Sequence, residues 1–254
     1  MLDDILDKVS ELYPDRMTAF VDVFGGSGSV VLNVPHEWKV NRVYNDIDLR
    51  LYTLLNVLKD EEKRKRLFDM LDWSLPHRKM FEELKQKTEF KDDVELAYNY
   101  LYRHFSSFNV DNNSFGISIK DQRDAFRNQV NLLKRNFFAV KYLRIECLDY
   151  KELIKKYDSP TTFFYLDPPY ITEGRTHYKY GFTINDFQEL HNILMRIKGN
   201  WLMNESKRDF PELIRIFGEP QVVKEYYNNV NHNRKQVNGG NIKPYRKEGF
   251  WYNF

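Results

Sequence analysis

Cysteine is all but missing from this sequence. Cys147 stands alone, so an intramolecular disulfide and a cysteine-based zinc cluster are both excluded, and the residue reads as a small core or near-core side chain. At 254 residues no staple is needed, because one large domain, or a core domain carrying an insertion, buries enough surface to be stable. Long apolar runs are lacking as well, since nothing approaches the roughly 20 residues of a membrane-spanning helix. The N-terminal Met1-Leu-Asp-Asp-Ile-Leu-Asp-Lys is acidic and broken by charge, unlike a secretory leader. The expectation is a soluble, cytoplasmic protein. Histidine is sparse, and His104, His177, His191 and His232 have no carboxylate or cysteine at ligand spacing, so no metal is expected.

A strong charge of one sign is also absent, the formal net charge being +2. Basic residues matter for polyanions only where they cluster. They do so over 96–144, where Arg103, Lys120, Arg123, Arg127, Lys134, Arg135, Lys141 and Arg144 face only Asp111, Asp121 and Asp124. Aromatics are plentiful at 16%, and Tyr98-Asn-Tyr-Leu-Tyr-Arg-His-Phe-Ser-Ser-Phe108-Asn109 interleaves them with Asn and Arg. Such residues can stack on bases or fill a core, and core packing is the commoner use.

Periodicity predicts an amphipathic helix over 3–12, a buried strand over 19–24, a helix after the glycine-rich turn through Leu32, and a second strand over 42–46 ending on an acid. Residues 49–73 read as helical, with the charge run 60–66 on a solvated face. Residues 74–138 interrupt the strand–helix alternation with helical segments around a polar loop or hairpin at 109–116, and read as an insertion into an α/β core formed by 1–73 and 139–254. Alternation resumes with a strand over 140–147, a helix over 150–157, a buried strand over 161–166, a helix over 185–198 and a strand over 200–203. The tail, 222–254, is β-rich around a polar loop at 228–241.

Two stretches carry the chemistry. In Phe20-Val-Asp22-Val-Phe24-Gly25-Gly26-Ser27-Gly28-Ser-Val30, glycines let the backbone turn tightly and approach a ligand at the C-terminal end of a strand. A phosphate-cradling P-loop would need Gly-Lys-Ser/Thr, but Ser29-Val30 follows Gly28; the dinucleotide fingerprint fails at Val31. What remains is a ligand with a ribose and no required phosphate. Asp46, roughly 20 residues downstream, stands where such folds place a ribose-binding acid; Asp48 is the fallback. In Phe163-Phe-Tyr-Leu-Asp167-Pro168-Pro169-Tyr170 two prolines remove backbone donors and leave carbonyls projecting. Asp167 and the Pro168 carbonyl can then accept both hydrogens of a planar exocyclic amine and steer its lone pair toward an electrophile, with Tyr170 offering a stacking face.

In this order the motifs resemble the Dam-like (D12 class) adenine-specific DNA methyltransferases. Asp22-Val-Phe24-Gly25-Gly26-Ser27-Gly28 is similar to that family's donor loop, Asn45-Asp46 to its ribose-binding acid, Cys147-Leu-Asp149-Tyr150 to the segment flanking the donor's adenine, and Asp167-Pro168-Pro169-Tyr170 to its catalytic clamp. Tyr178 to Leu190 resembles the region beyond the clamp, and Glu248 to Phe254 the closing strand. The resemblance implies a Rossmann-like core, S-adenosyl-L-methionine as methyl donor, and transfer to N6 of an adenine flipped out of double-stranded DNA at a specific sequence, with the protein a monomer on DNA. It makes 74–138 a target-recognition domain carrying Asn109. Arg103, Arg123 and Arg127 are candidate contacts to phosphates or base edges, with surface salt bridging the equal alternative, and Arg175 and Lys179 beyond the clamp are further candidate DNA contacts. Cytosine N4 or an RNA adenine are the alternative acceptors. A catalytically silent DNA-binding relative is the other rival, since the family's usual Gly-Gly-Lys or Gly-Ala-Lys segment does not precede the first helix here.

Overall fold

The apolar runs become the inner strands of a sheet. The computed structural model describes residues 1–12, 16–107, 114–116, 122–171, 181–227, 236–237, 240–241 and 245–254, with backbone alone at 122–124, 227, 236–237, 240–241 and 245. Its strands are β1 (Ala19–Asp22), β2 (Asn41–Asn45), β3 (Leu143–Glu146), β4 (Thr162–Leu166), β5 (Asn200–Ser206), β6 (Val222–Tyr227), β7 (Gln236–Val237), β8 (Gly240–Asn241) and β9 (Tyr245–Tyr252). Its helices are α1 (Leu2–Ser10), α2 (Leu49–Lys59), α3 (Glu61–Asp72), α4 (Arg78–Gln86), α5 (Asp93–Phe105), α6 (Gln122–Asn136), α7 (Tyr150–Tyr157), α8 (Ile184–Leu194) and α9 (Phe210–Phe217). The seven-stranded sheet has the order β3-β2-β1-β4-β5-β9-β6, and β7 pairs with β8 separately. Strands β2, β1, β4 and β5 run parallel, while β9 runs antiparallel to β5 and β6. The fold is a mixed, Rossmann-like α/β architecture.

Contacts divide the described chain into two compact units, Met1–Tyr44 with Leu148–Phe254, and Asn45–Cys147. In the first, strand alternation gives the sheet two unlike faces. Val21, Val43, Phe164, Leu166, Trp201, Met203 and Trp251 form one apolar cluster with Tyr150, Leu153, Phe187, Leu190 and Leu213 from α7, α8 and α9. The alternate residues, Phe20, Asp22, Tyr44, Phe163, Tyr165 and Asn204, are buried too, yet include the polar side chains that build the site. On α1, Ile5 and Val9 are fully buried, and Asp4 ties the helix to β6 through an ion pair with Lys224 and the Tyr226 hydroxyl, 3.0 Å away.

The second unit is a helical cluster in which α2, α3 and α5 start on capping acids. The side chains of Asp48, Asp60 and Asp92 accept from the backbone N–H of Arg50, Lys63 and Glu95 at the heads of α2, α3 and α5, which satisfies donors a helix start leaves open. Tyr98 and Tyr102 are core residues: the Tyr98 hydroxyl lies 2.6 Å from that of Ser74, and the Tyr102 hydroxyl donates to the Leu75 carbonyl at 2.8 Å. Packing is thus their use, as their spacing on one helix face suggests.

Several boundaries differ from the sequence expectation. β1 ends at Asp22 rather than residue 24, and no α-helix follows the glycine-rich turn, only a 3-10 turn at Val31–Asn33. The turn stops at Val34, whose ψ of 127° is extended, as the residue before Pro35 prefers, and the Asn33 amide donates to the Ser29 carbonyl at 2.8 Å in competition with a helical ladder. Residues 140–142 fall in a 3-10 segment ahead of β3, α8 stops at Leu194, and β5 runs on to Ser206 because β9 continues its pairing. α9 was not read from the sequence.

Gly199, entering β5, is required for close approach. A Cβ there would stand 2.7 Å from the Thr162 carbonyl oxygen and 2.9 Å from the Phe164 ring. Gly199→Ala is expected to destabilise the protein by about 1–3 kcal/mol through overpacking; an unchanged melting temperature would contradict this packing.

Candidate active site

Parallel pairing brings the ends of β1, β2 and β4 level. Asp22 lies opposite Tyr44 on one side and Tyr165 on the other, so the residues following β1 and β4 emerge at one edge, where open α/β sheets bind ligands. Asp22 is buried at that edge. The turn after it is held by its own backbone, with Gly28 N–H donating to the Gly25 carbonyl at 2.7 Å, and by the Tyr44 hydroxyl, which donates to the Gly26 carbonyl at 2.8 Å. Gly26 and Gly28 have φ of 49° and 71°, a left-handed conformation that favours glycine. A side chain at Gly28 would also press on Leu32, 3.1 Å from its Cβ position. The space beside Gly26 is open, with nothing within 4 Å of a Cβ built there. Phe24 packs on Tyr150 and Phe182, ring centroids 5.7 and 5.5 Å away, so Tyr150 joins this loop. Burial, followed by the nearby Glu189, Asp186 and Asp149 carboxylates, pushes the Tyr150 hydroxyl well above its ordinary pKa, so it stays neutral. Asp149 is exposed and caps α7, accepting from Lys151 N–H at 2.9 Å.

The second motif leaves the end of β4, whose five residues are all buried. The Tyr165 hydroxyl donates to Asn204 Oδ1 at 2.5 Å, and Asn204 Nδ2 donates to Asp167 Oδ1 at 3.3 Å. The amide orientation is fixed by chemistry, since a carboxylate only accepts. Asp167 is exposed at the strand end, yet the protein crowded around its carboxyl group limits its hydration. That desolvation raises its pKa to about 6, against the opposing pull of Arg246 and the Asn204 hydrogen bond. Glu205, the next residue along β5, is fully buried and pushed far above the usual carboxylate range by burial and then by Asp167. Pro168 is buried and Pro169 and Tyr170 half-buried; Arg246 Nη2 donates to the Tyr170 hydroxyl at 2.6 Å. The site can therefore hold a hydrogen-bond donor against a poorly solvated carboxylate beside an aromatic ring.

Sequence reasoning missed Tyr165, Asn204 and Arg246. The available signal was polar Asn204-Glu205 interrupting the apolar run of β5.

In the second unit, Asp46 follows β2 directly, and its Oδ1 accepts from Asp48 N–H at 2.8 Å. Asp48 is the α2 cap and pairs with Arg50, so of the two acids it is the one spent on structure. Arg127 donates to the Asp72 carbonyl at 2.6 Å at the C-terminal end of α3, a favourable place for a cation. Arg103 is half-buried on α5. Asn109, Arg175 and Lys179 lie outside the described residues, as does the side chain of Arg123. Among the described residues no group of three His, Cys, Asp or Glu is placed to hold a metal ion, and no helix is long and apolar enough to cross a membrane.

The chain is similar to the modification methylase StsI of Streptococcus sanguinis, with 25% identity over 188 residues, 67% of this chain and 27% of that protein; it thus spans about a quarter of that relative. It is also similar to the type II methyltransferase M.CviBI of Paramecium bursaria Chlorella virus NC1A, with 22% identity over 228 residues, 88% of this chain and 85% of that protein. Residues 2–236 match the model of a single family, and with both motifs at the sheet edge the chain belongs to the D12 class N6 adenine-specific DNA methyltransferases.

Proposed function

We propose that the chain transfers a methyl group from S-adenosylmethionine to N6 of an adenine flipped out of double-stranded DNA at a specific sequence, acting as a monomer on DNA and serving as a modification methylase. The observation that carries this reading is the Asp167 carboxylate, held by Asn204 at the end of a fully buried parallel strand and next to Tyr170. The residues of the glycine-rich loop fit the donor. Gly26 faces open space, Phe24 and Tyr150 supply apolar surface, and buried Asp22 places negative charge at the strand end. Asp46 is the ribose acceptor by its place one residue past β2. Bound S-adenosylmethionine would supply a methyl group made electrophilic by the adjoining sulfonium.

Asp167 and the Pro168 carbonyl each accept one amine hydrogen of the adenine. The N6 lone pair is thereby turned out of conjugation with the ring and aimed at the methyl carbon, a contribution of positioning and electrostatics without a covalent enzyme intermediate. Transfer would exchange the donor's S–C bond for a new N–C bond, with the proton displaced from N6 released to solvent. Tyr170 stacks on the base, which a duplex cannot present without flipping. Residues 74–138 serve as the target-recognition domain, with the core formed by 1–73 and 139–254. Arg103, Asn109, Arg123, Arg127, Arg175 and Lys179 are its candidate phosphate and base contacts, Arg127 only by leaving Asp72.

Incubation of the protein with labelled S-adenosylmethionine and unmethylated duplex DNA, followed by nucleoside analysis, is expected to give N6-methyladenine. Asp167→Ala is expected to lower turnover by about 100-fold or more, the scale of losing a preorganised polar partner, with DNA binding kept. Label in cytosine, or undiminished turnover by the variant, would overturn the reading.

Because only the carboxylate form of Asp167 accepts both ways, kcat/KM is expected to fall as pH drops through about 6. A flat profile down to pH values near the ordinary carboxylate pKa would contradict this.

Stability should run the other way. The folded-state pKa of Asp167 is raised from 3.8 to about 6, so between those values the folded state holds the extra proton and stability falls as pH rises. Asp167→Asn is therefore expected to melt higher than the parent at pH 8, with the gain vanishing toward pH 4. Equal melting temperatures at pH 8 would show that Asp167 is not desolvated.

A further inference from the structure

The closing strand contributes a second support for the clamp. Arg246 Nη2 donates to the Tyr170 hydroxyl at 2.6 Å, and its guanidinium carbon lies 5.9 Å from the Tyr170 ring centroid. The neighbouring Nε on the same edge of the guanidinium meets Glu248 Oε1 in an ion pair. Glu248 is fully buried, and no other hydrogen-bond donor reaches its oxygens among the described residues. A planar guanidinium held through Nε by a buried carboxylate has little rotational freedom, so the adjoining Nη2 fixes where the Tyr170 hydroxyl stands.

The electrostatics point the same way. The titratable groups facing this end of the sheet are Asp22 from β1, Tyr165 and Asp167 from β4, Glu205 from β5, Asp209 from the turn after it, and Arg246 and Glu248 from β9. Arg246 is the cation that acts on Asp167, Glu205 and Tyr165 alike. It thus favours an ionised Asp167 against the surrounding acids.

We propose that Arg246, anchored by Glu248, is a positioning residue for methyl transfer, setting the orientation of the Tyr170 ring on which the target base stacks and supporting the Asp167 carboxylate that receives the amine. This rests on the clamp reading of Asp167 and Tyr170 given above. It assigns β9 a part in the reaction beyond closing the sheet.

The test compares the parent protein with Arg246→Lys, Arg246→Met, Tyr170→Phe and Arg246→Met/Tyr170→Phe in single-turnover methyl transfer and in the pH dependence of kcat/KM. Arg246→Met is expected to slow transfer on the order of 10- to 100-fold, the scale of a misplaced reacting group, with the KM for S-adenosylmethionine within about twofold. Its acid limb should move to higher pH, since removing the cation makes Asp167 harder to ionise. Arg246→Lys should restore the position of the acid limb but not the rate, because a point charge replaces the fork. The double variant should be no slower than the slower single, as expected when one residue acts through the other. Because Arg246→Met leaves Glu248 buried without its cation, Arg246→Met/Glu248→Gln is measured beside it, and the same slow transfer in a protein that melts like the parent is expected. Parental rate and an unmoved acid limb in either folded variant, or additive losses in the double variant with Tyr170→Phe, would overturn the proposal. Asp167→Ala separates the two levels. If that variant is inactive while Arg246→Met behaves like the parent, only the role of Arg246 falls; if it retains transfer, the clamp itself falls and this inference with it.

Discussion

The site is organised around one carboxylate that stands open at a strand end yet is crowded by protein on its other sides. β4 is buried along its whole length, and the two prolines after Asp167 bring no backbone donors of their own. The chain that delivers Asp167 therefore cannot solvate it. Stabilisation has to come from neighbours: the Asn204 amide, fixed by the Tyr165 hydroxyl, and the charge of Arg246. These recover only part of the lost hydration, and the remainder leaves a carboxylate whose hydrogen-bonding power is directed at what enters the site.

The two faces of the sheet divide the work. The face under α7, α8 and α9 is filled by Val, Leu, Phe, Trp and Met and supplies the apolar burial that holds the first unit together. The other face places Asp22, Tyr44, Tyr165 and Asn204 along the strand ends. Burial of polar groups costs stability unless each finds a partner, and the Tyr44–Gly26, Tyr165–Asn204 and Asn204–Asp167 hydrogen bonds are those partners. The melting behaviour expected of an Asp167 variant expresses the same trade: what makes the site reactive makes the fold less stable.

Much of this was legible in the chain. The strand before each motif announces itself by an apolar run ending in a turn residue, and Gly26, Gly28, Pro168 and Pro169 mark local backbone states that need no tertiary information. The inward faces of α5 follow from spacing, so Tyr98 and Tyr102 read correctly as packing. Asn204, Arg246 and Glu248 were not legible, because their meaning comes from register. β9 returns antiparallel beside β5, pairing Asn204 with Phe250 and Ser206 with Glu248, and no local pattern in 245–252 reveals which residues it will face. The helix expected after Gly28 shrinks to a 3-10 turn for a local reason, the extended Val34 before Pro35 and the Asn33 side chain competing with a helical ladder. The glycine-rich turn is consequently held by Tyr44 from the neighbouring strand rather than by a helix that follows it.

The most direct test of the account is to titrate Asp167 itself. Carboxyl-carbon NMR of protein labelled at aspartate, with the resonance assigned by its loss in Asp167→Asn, reports this group's ionisation without reference to turnover. The account predicts a midpoint at about 6. A midpoint at the ordinary aspartate value would mean that the carboxylate is as well solvated as one on the surface, and would contradict the constraint from which the rest of the site is argued.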